Sequence, residues 1–276
     1  MNAEMLSYIR KNSPIHRLSG ATKLICFLLW TVAAMITYDT RVLLGLFVFG
    51  LVAFKVSKIE FKEISFLLYF ILFFLFLNAV MIFIFSPYEG VNIYGTKTEL
   101  FHIAGPYTVT KEQLFYELNV ILKYFATIPM ALLFILTTEP SEFAASLNRL
   151  GISYKASYTV SIALRYIPDI QRDYRDISFA QQARGIDLSK KEKLSKRIKN
   201  STAILMPLIF SSLDRIDKIS LAMELRAFGH GKKRTWYNGR KLDKNDYIAI
   251  AVFIGILLLS IYMVNSNGSR FYNPFI

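Results

Sequence analysis

Long apolar runs alternate with charged stretches along the chain, and these runs predict membrane-spanning helices. A helix needs roughly 20 apolar residues to cross the hydrocarbon layer of a bilayer. Residues 64–85 carry no charge, and residues 247–264 form a second uncharged run. Three further runs, 24–38, 42–54 and 119–138, count as spans because lysine and arginine side chains beside or within them can reach the headgroups. The pattern therefore predicts five spans.

The other parts of the chain predict shorter elements. Residues 156–167 and 202–213 are apolar but too short to span, so they predict partly buried helices. Residues 86–118 mix proline, glycine and β-branched residues, which predicts turns and a short hairpin. The expected fold class is all-α, a polytopic membrane protein with about five transmembrane helices and a helical cytoplasmic segment. Its expected parts are residues 1–138 with spans one to four, 139–246 as a basic cytoplasmic segment, and 247–276 with the last span.

The formal net charge is +13, and its distribution predicts the orientation of the chain in the membrane. Lysine and arginine accumulate in short cytoplasmic loops. Basic residues precede the first span, lie between the second and third, and outnumber acidic residues in 139–246. These segments share one side of the membrane if five spans alternate. We therefore expect a multi-pass cell-membrane protein with the N-terminus and the basic segment in the cytoplasm and the C-terminus outside.

The few cysteine and histidine residues narrow the possible chemistry. Cys26 is the only cysteine, which excludes an internal disulfide and a cysteine-based metal cluster. His16, His102 and His230 are scattered, so their spacing does not predict a metal site. The sequence thus predicts no catalytic, metal-binding or cofactor-binding residues in this chain.

A repeated motif is the most informative feature of the basic segment. The sequence ISFAQQARGIDL at 177–188 returns forty-two residues later as ISLAMELRAFGH at 219–230. In both copies, apolar residues at steps of three and four precede an arginine on one helix face. In the first copy this stripe runs from after Pro168 to Arg184. In the second copy it ends at Arg226, in a helix expected to begin near Pro207. Helices of roughly 15 to 20 residues would be about 23 to 30 Å long.

Two interpretations of the arginines remain open from the residues alone. A cation at a helix C-terminus interacts favourably with the last carbonyl groups, and this would explain a single copy. Two matched tips instead suit a partner with two matched pockets. Arginine fits this second hypothesis because its planar guanidinium can pair bidentately with a carboxylate.

Taken together, several segments resemble one transporter family. They are SPIHRLSGATKLICFLL near the N-terminus, TTEPSEFAASLNRLGI after the fourth span, ALRYIP at 163–168, AQQARG at 180–185 and AMELRAFG at 222–229. With the apolar N-terminal half, they are similar to the transmembrane T component of energy-coupling factor transporters, the EcfT and CbiQ family. The resemblance covers most of the chain.

The resemblance implies a transporter subunit that is not itself an enzyme. Such a subunit binds two ABC-type ATPase subunits, A and A′, through two coupling helices, and it joins them to a small membrane S subunit that binds the substrate. ATP is then bound by the partners, and energy from its hydrolysis is coupled to vitamin or transition-metal uptake. Because the S subunit recognises the substrate, vitamins, nickel, cobalt and thiamine precursors all remain open.

The resemblance also points to particular site residues. The family's Ala-Arg-Gly signature matches Ala183, Arg184 and Gly185 in the first copy. The second copy has Leu225, Arg226 and Ala227 at these positions and keeps only the arginine, with Gly229 as a candidate for the missing glycine of the turn.

Other function classes fit the sequence less well. A self-contained ATP-driven pump needs the phosphate loop G-x-x-x-x-G-K-[ST], which the sequence lacks.

Residues 189–200 are rich in lysine, and we interpret them as a solvated or lipid-facing surface rather than a nucleic-acid site. Each cation near an anionic leaflet gains about 1 kcal/mol of binding free energy. The main alternative is a membrane-anchored scaffold or regulator that docks another cytoplasmic protein.

Overall fold

The described residues are divided between two compact units. The computed structural model describes residues 8, 11–104, 107–186, 194–231, 235–236 and 239–275. The first unit combines Met1–Glu139 with Arg240–Ile276, and the second unit is Pro140–Gly239. We call them the membrane unit and the arginine-tip unit. Residues 189–193 of the lysine-rich stretch lie outside the described part of the chain.

Helices account for most of the described residues, and one hairpin contributes the strands found among them. In chain order the elements are α1 (Pro14–Arg17), α2 (Gly20–Ile36), α3 (Thr40–Val56), α4 (Phe61–Phe85), α5 (Glu89–Tyr94), β1 (Glu99–Ala104), β2 (Tyr107–Thr110), α6 (Lys111–Thr137), α7 (Pro140–Arg149), α8 (Tyr154–Ala183), α9 (Leu194–Leu225) and α10 (Lys244–Ser266). The strands pair antiparallel, which confirms the hairpin predicted between the third and fourth spans. The all-α polytopic class is confirmed as well.

The predicted spans correspond to α2, α3, α4, α6 and α10. Three of these helices are long and apolar enough to cross a membrane, namely Ile64–Phe85 within α4, Lys111–Thr137 and Lys244–Ser266. Helices α2 and α3 have 17 residues each, or about 26 Å at 1.5 Å per residue, slightly less than a typical hydrocarbon core. Membrane crossing by these two helices therefore stays a prediction.

Trp30 of α2 lies at the centre of the membrane unit. Its side chain is fully buried, and its indole nitrogen donates a hydrogen bond to the carbonyl oxygen of Ala126 in α6 at 3.0 Å. Its ring also lies 5.4 Å from that of Phe49 in α3 and 5.6 Å from that of Phe253 in α10. One large side chain thus joins four helices, and its only polar atom is satisfied inside the core.

Asp39 organises the end of the unit predicted to face outward. It is the N-cap of α3, and its buried carboxylate accepts hydrogen bonds from the Arg41 amide at 2.9 Å, the Arg41 guanidinium at 2.8 Å and the Asn267 amide group at 2.7 Å. Burial by itself favours the neutral acid, but these hydrogen bonds outweigh it and lower the pKa of Asp39. The chain after α10 is thereby tied to the turn between α2 and α3.

A second buried carboxylate, Glu112, holds the hairpin against α6. It accepts hydrogen bonds from the Thr98 amide at 3.0 Å and the Thr98 hydroxyl at 2.9 Å. The neighbouring Gln113 accepts a hydrogen bond from the amide of Gly90 in α5 at 2.9 Å. A Cβ atom on Gly90 would lie 2.4 Å from the Glu112 carbonyl oxygen, so α5 and α6 approach closely only because this residue is glycine.

We expect Gly90→Ala to lower the apparent melting temperature of the detergent-purified protein. The new methyl group meets backbone atoms that cannot rotate away, so the expected cost is about 1–3 kcal/mol. Gly45→Ala is the matched control, since nothing lies within 4 Å of a Cβ atom there and Gly45 sits inside helix α3. The control should gain roughly 0.5–1 kcal/mol from higher helix propensity. Equal effects of both substitutions would contradict the close approach.

Candidate functional site

The arginine-tip unit is built on two helices that are longer than predicted. Helix α8 has 30 residues and α9 has 32, and they contain Pro168 and Pro207 as internal residues. The prediction of 15 to 20 residues, with a start near Pro207, was therefore wrong. A proline removes one backbone hydrogen bond and strains the preceding turn, and a long helix with many other bonds can absorb this by bending. The apolar stretches 156–167 and 202–213 are parts of these helices rather than separate ones.

Helices α8 and α9 pack in antiparallel orientation. Near the end of α8, the Gln181 side chain donates a hydrogen bond to the Ala203 carbonyl oxygen at 3.1 Å. Near the start of α8, the rings of Tyr158 and Phe228 lie 4.8 Å apart. The C-terminal end of each helix therefore lies beside the N-terminal part of the other.

An ion pair marks the middle of this helix pair. The Arg215 guanidinium lies 2.6 Å from the Asp173 carboxylate, and 42 residues separate the two positions. Arg184 and Arg226 are separated by the same interval. Arg184 follows Asp173 by eleven residues on α8, and Arg226 follows Arg215 by the same number on α9. Eleven residues correspond to about 16 Å of helix. The two tips consequently lie at opposite ends of the pair, at nearly equal distances from the ion pair.

The first tip ends in a left-handed turn. Helix α8 ends at Ala183, and the amide of Arg184 donates to the carbonyl oxygen of Gln181 at 3.1 Å. Gly185 has φ +86°, and the amide of Ile186 also donates to Gln181 at 3.1 Å. This is the Schellman arrangement, in which a left-handed residue lets the chain satisfy the last carbonyl groups of a helix.

The second tip has the same backbone geometry without the glycine. Helix α9 ends at Leu225, and the amides of Arg226 and Phe228 donate to the Met223 carbonyl oxygen at 3.2 and 2.9 Å. Ala227 takes the left-handed position with φ +50°. Gly229, the expected substitute, also has a positive φ but lies two residues further on. The turn thus forms at Ala227 itself, at the energetic cost of a left-handed conformation with a Cβ atom.

Each tip presents an exposed cation beside exposed apolar side chains. Arg184 and Arg226 are both solvent-exposed. Phe179 is 67% exposed on the first tip, and Leu221, forty-two residues later, is 60% exposed on the second. Leu225, the last residue of α9, is 82% exposed as well. The sequence-based site omitted Phe179 and Leu221, although their equivalent places in the two copies of the motif were a usable signal.

The histidines occupy unrelated places in the fold. The His16 ring pairs with the Ser13 hydroxyl at 2.7 Å, and the His102 ring pairs with the Thr108 hydroxyl at 3.0 Å. His230 lies in the arginine-tip unit. Within the described ranges, no group of three histidine, cysteine, aspartate or glutamate side chains is placed to hold a metal ion.

These features define a class of protein: a polytopic α-helical membrane protein with a second helical unit that carries two matched arginine tips. Comparison with known proteins identifies the family. The model of the CbiQ family, described as cobalt transport protein, matches residues 11–237. The chain therefore belongs to the CbiQ/EcfT family.

Curated relatives agree with this assignment. The energy-coupling factor transporter transmembrane protein EcfT of Clostridium kluyveri is 29% identical over 271 residues, covering 92% of this chain and 94% of the relative. EcfT of Lactococcus lactis subsp. cremoris is 29% identical over 279 residues, covering 95% of this chain and 97% of the relative. EcfT of Bacillus subtilis is 29% identical over 267 residues, covering 91% of this chain and 95% of the relative. The similarity thus extends over nearly the full length of each chain.

From the left-handed turns we expect opposite changes in helix-end stability for two substitutions. Gly185→Ala should destabilise the end of α8 by about 1 kcal/mol, because it adds a Cβ atom at positive φ. Ala227→Gly should stabilise the end of α9 by a few tenths to about 1 kcal/mol, because it removes one. Amide hydrogen exchange in the last turn of each helix measures both changes.

Ala163→Gly is the matched control, since Ala163 is an exposed residue inside α8. There the same change should destabilise by about 0.5–1 kcal/mol. Destabilisation by Ala227→Gly as large as that of the control would show that Ala227 is not held in a left-handed conformation.

Proposed function

We propose that this chain is the transmembrane T subunit of an energy-coupling factor importer. In this proposal it has no catalytic activity, and it couples ATP hydrolysis by two ABC-type ATPase subunits to micronutrient uptake through a separate substrate-binding S subunit. The observation that carries the proposal is the pair of tips at opposite ends of one antiparallel helix pair, each with the same backbone turn and an exposed arginine.

The placement of the tips supports two partners rather than one. Arg184 and Arg226 lie about 33 Å apart along the helix axes, since each is about 16 Å from the central ion pair. Two tips with equivalent positions on either side of a centre suit two similar proteins placed side by side. A movement of these proteins relative to each other would act on α8 and α9 in opposite directions.

The chemistry of each tip supports an acidic groove as the docking surface. A guanidinium group can form two parallel hydrogen bonds with a carboxylate, which fixes an angle as well as a distance. Phe179 and Leu221 add apolar area close to each arginine, and burying it in a groove would exclude water from the ion pair. The turn after each helix keeps the last carbonyl groups satisfied, so docking does not have to supply hydrogen bonds for them.

Helix α4 supports the membrane part of the proposal. Its most apolar stretch, Ile64–Phe85, has a mean hydropathy of 2.8. Ile64 at its start packs into the core, whereas Phe73, Phe76 and Phe85 are among its many exposed side chains. Such a helix needs a surrounding of lipid or of another membrane protein. The S subunit and the lipid bilayer are the partners that we assign to this apolar surface.

Removing the arginines should prevent coupling. If each inserts into an acidic groove, Arg→Ala leaves a desolvated carboxylate unpaired and costs roughly 2–5 kcal/mol of partner binding. We expect the Arg184→Ala, Arg226→Ala double variant, expressed with its ATPases and S subunit, to fail in pull-down assembly and in ATP-dependent vesicle uptake. Arg→Lys keeps the charge but loses the bidentate geometry, so its loss should be smaller.

Arg172→Ala is the matched control because Arg172 is an exposed arginine in the middle of α8, away from either tip. It should assemble and transport normally. Normal assembly and uptake in the double variant would exclude the coupling role and leave only a helix-cap contribution of about 0.3–1 kcal/mol. Capture of other cytoplasmic proteins in place of the ATPases would favour the scaffold alternative.

We further propose that the N-terminus and the arginine-tip unit face the cytoplasm, and that the hairpin faces outward. The positive-inside distribution of lysine and arginine supports this orientation. The fold is compatible with it, since Pro140–Gly239, which follows α6 and precedes α10 in the sequence, forms a compact unit of its own.

Thiol labelling tests the orientation. Cys26 is buried and is the only cysteine, so Cys26→Ala provides a background without cysteine. In intact cells an impermeant maleimide should label Asn92→Cys, whose site is exposed near the hairpin, and should label Ser220→Cys in α9 only after lysis. The reverse labelling pattern would overturn the orientation.

A further inference from the structure

We infer that a cavity in the arginine-tip unit binds a small molecule that combines an aromatic heterocycle with a phosphate group, the chemistry of a nucleoside monophosphate. The cavity has a volume of about 520 Å³ and lies between the beginning of α8 and the end of α9. This volume is within the roughly 300–1,000 Å³ range of small-molecule sites. The inference goes beyond the proposed transport role and does not depend on it.

Two facing helix surfaces form the walls. From α8 the cavity is lined by residues 154, 158, 161 and 165, which are spaced so that they share one face of a helix. From α9 it is lined by residues 219, 222, 223 and 226, which share a face in the same way. Three residues that follow α9 in the chain close one side, namely Phe228, Thr235 and Trp236. The antiparallel pairing of α8 and α9 therefore creates the cavity.

The charge of the lining favours an anion. Arg165 and Arg226 both contribute to it, and none of the lining residues that the structure describes is acidic. Guanidinium groups pair with phosphate through short, charge-assisted hydrogen bonds. Arg165 is the more specific marker of this cavity, because Arg226 also forms the exposed tip of α9.

Aromatic side chains form another part of the lining. The Tyr158 ring lies 4.8 Å from that of Phe228 and 6.3 Å from that of Trp236. The Trp236 indole is held by a hydrogen bond from its ring nitrogen to the Asn148 side-chain oxygen at 3.0 Å. Fixed aromatic faces offer a stacking surface for a planar ring, and base–aromatic stacking contributes binding energy with any base.

A buried phenol inside the cavity provides an independent indication of a ligand. Tyr154 lines the cavity and is only 7% exposed, and its hydroxyl has no hydrogen-bond partner among the described residues. Buried hydroxyl groups normally have a hydrogen-bond partner, and a buried hydroxyl without one is energetically unfavourable. A phosphate or ribose oxygen of a bound ligand would accept this hydrogen bond. Ser161, which follows on the same face of α8, adds a second hydroxyl to the lining.

Binding is tested on the complete chain in lipid nanodiscs, without any ATPase, so that failure of the coupling proposal does not affect the result. Calorimetric titration uses AMP, adenosine, ribose 5-phosphate and inorganic phosphate as probes. We expect saturable binding of AMP, and at least about tenfold weaker binding of each of the other three, because each lacks one part of the ligand. Quenching of Trp236 fluorescence should follow the same order.

Variants locate the site. Arg165→Gln should weaken AMP binding at least about tenfold, and Tyr154→Phe should weaken it several-fold while leaving the fold intact. Arg172→Gln is the matched control, seven residues further along α8 and outside the lining, and it should bind within about twofold of the unchanged chain. Circular dichroism checks the helix content of each variant, and Tyr154→Phe keeps the test decisive if Arg165→Gln misfolds.

Three results would overturn the inference. The first is the absence of AMP binding at millimolar concentration. The second is equal affinity for AMP and adenosine, which would remove the role of the phosphate. The third is a loss of binding in Arg172→Gln as large as in Arg165→Gln, which would indicate attraction to the basic surface in general rather than to this cavity.

Discussion

The structure of the membrane unit depends on one constraint: a bilayer offers no hydrogen-bond partners, so every backbone group within it must be satisfied by the chain itself. The backbone groups in the interior of a helix pair with one another, but the last N–H and C=O groups at its ends need hydrogen-bond partners from elsewhere. The buried charged side chains of the described membrane unit serve such ends. Lys23 donates to the Thr137 carbonyl oxygen at the end of α6 at 2.7 Å, Asp39 caps α3, and Asp246 accepts from the Ser19 amide at the start of α2 at 2.9 Å. Glu112 does the same for the segment that leads into the hairpin.

The same requirement acts differently in the arginine-tip unit, where the helix ends are exposed to solvent. There the last carbonyl groups of α8 and α9 are satisfied by backbone amides in a left-handed turn. Arg184 and Arg226 directly follow the two helices. The carbonyl groups at these helix ends have backbone partners, and the docking role of the two arginines stays a prediction.

The antiparallel pairing of α8 and α9 has two consequences from one arrangement. It places the tips at opposite ends, which suits two partners, and it brings the start of α8 beside the end of α9, where the 520 Å³ cavity forms. Arg226 belongs to both features. The two tips share a backbone turn, and the second one is followed by Phe228, whose ring packs on those of Tyr154 and Tyr158.

The sequence by itself determined the features that depend on local pattern. Uncharged runs identified α4 and α10, and an apolar run that contains Lys123 identified α6, because hydrophobic length is a local property. The forty-two-residue repeat predicted Arg184 and Arg226 at two helix ends. Only the tertiary structure decided what depends on distant contacts. Pro168 and Pro207 looked like helix boundaries, yet both lie inside helices, since a long helix packed on a partner tolerates the loss of one hydrogen bond. Ala227 adopts a left-handed conformation that its residue type disfavours, and the next residue, Phe228, packs its ring 4.8 Å from that of Tyr158 in the other helix. Which residues face each other across α8 and α9 follows from their pairing, and periodicity within one helix carries no information about its neighbour.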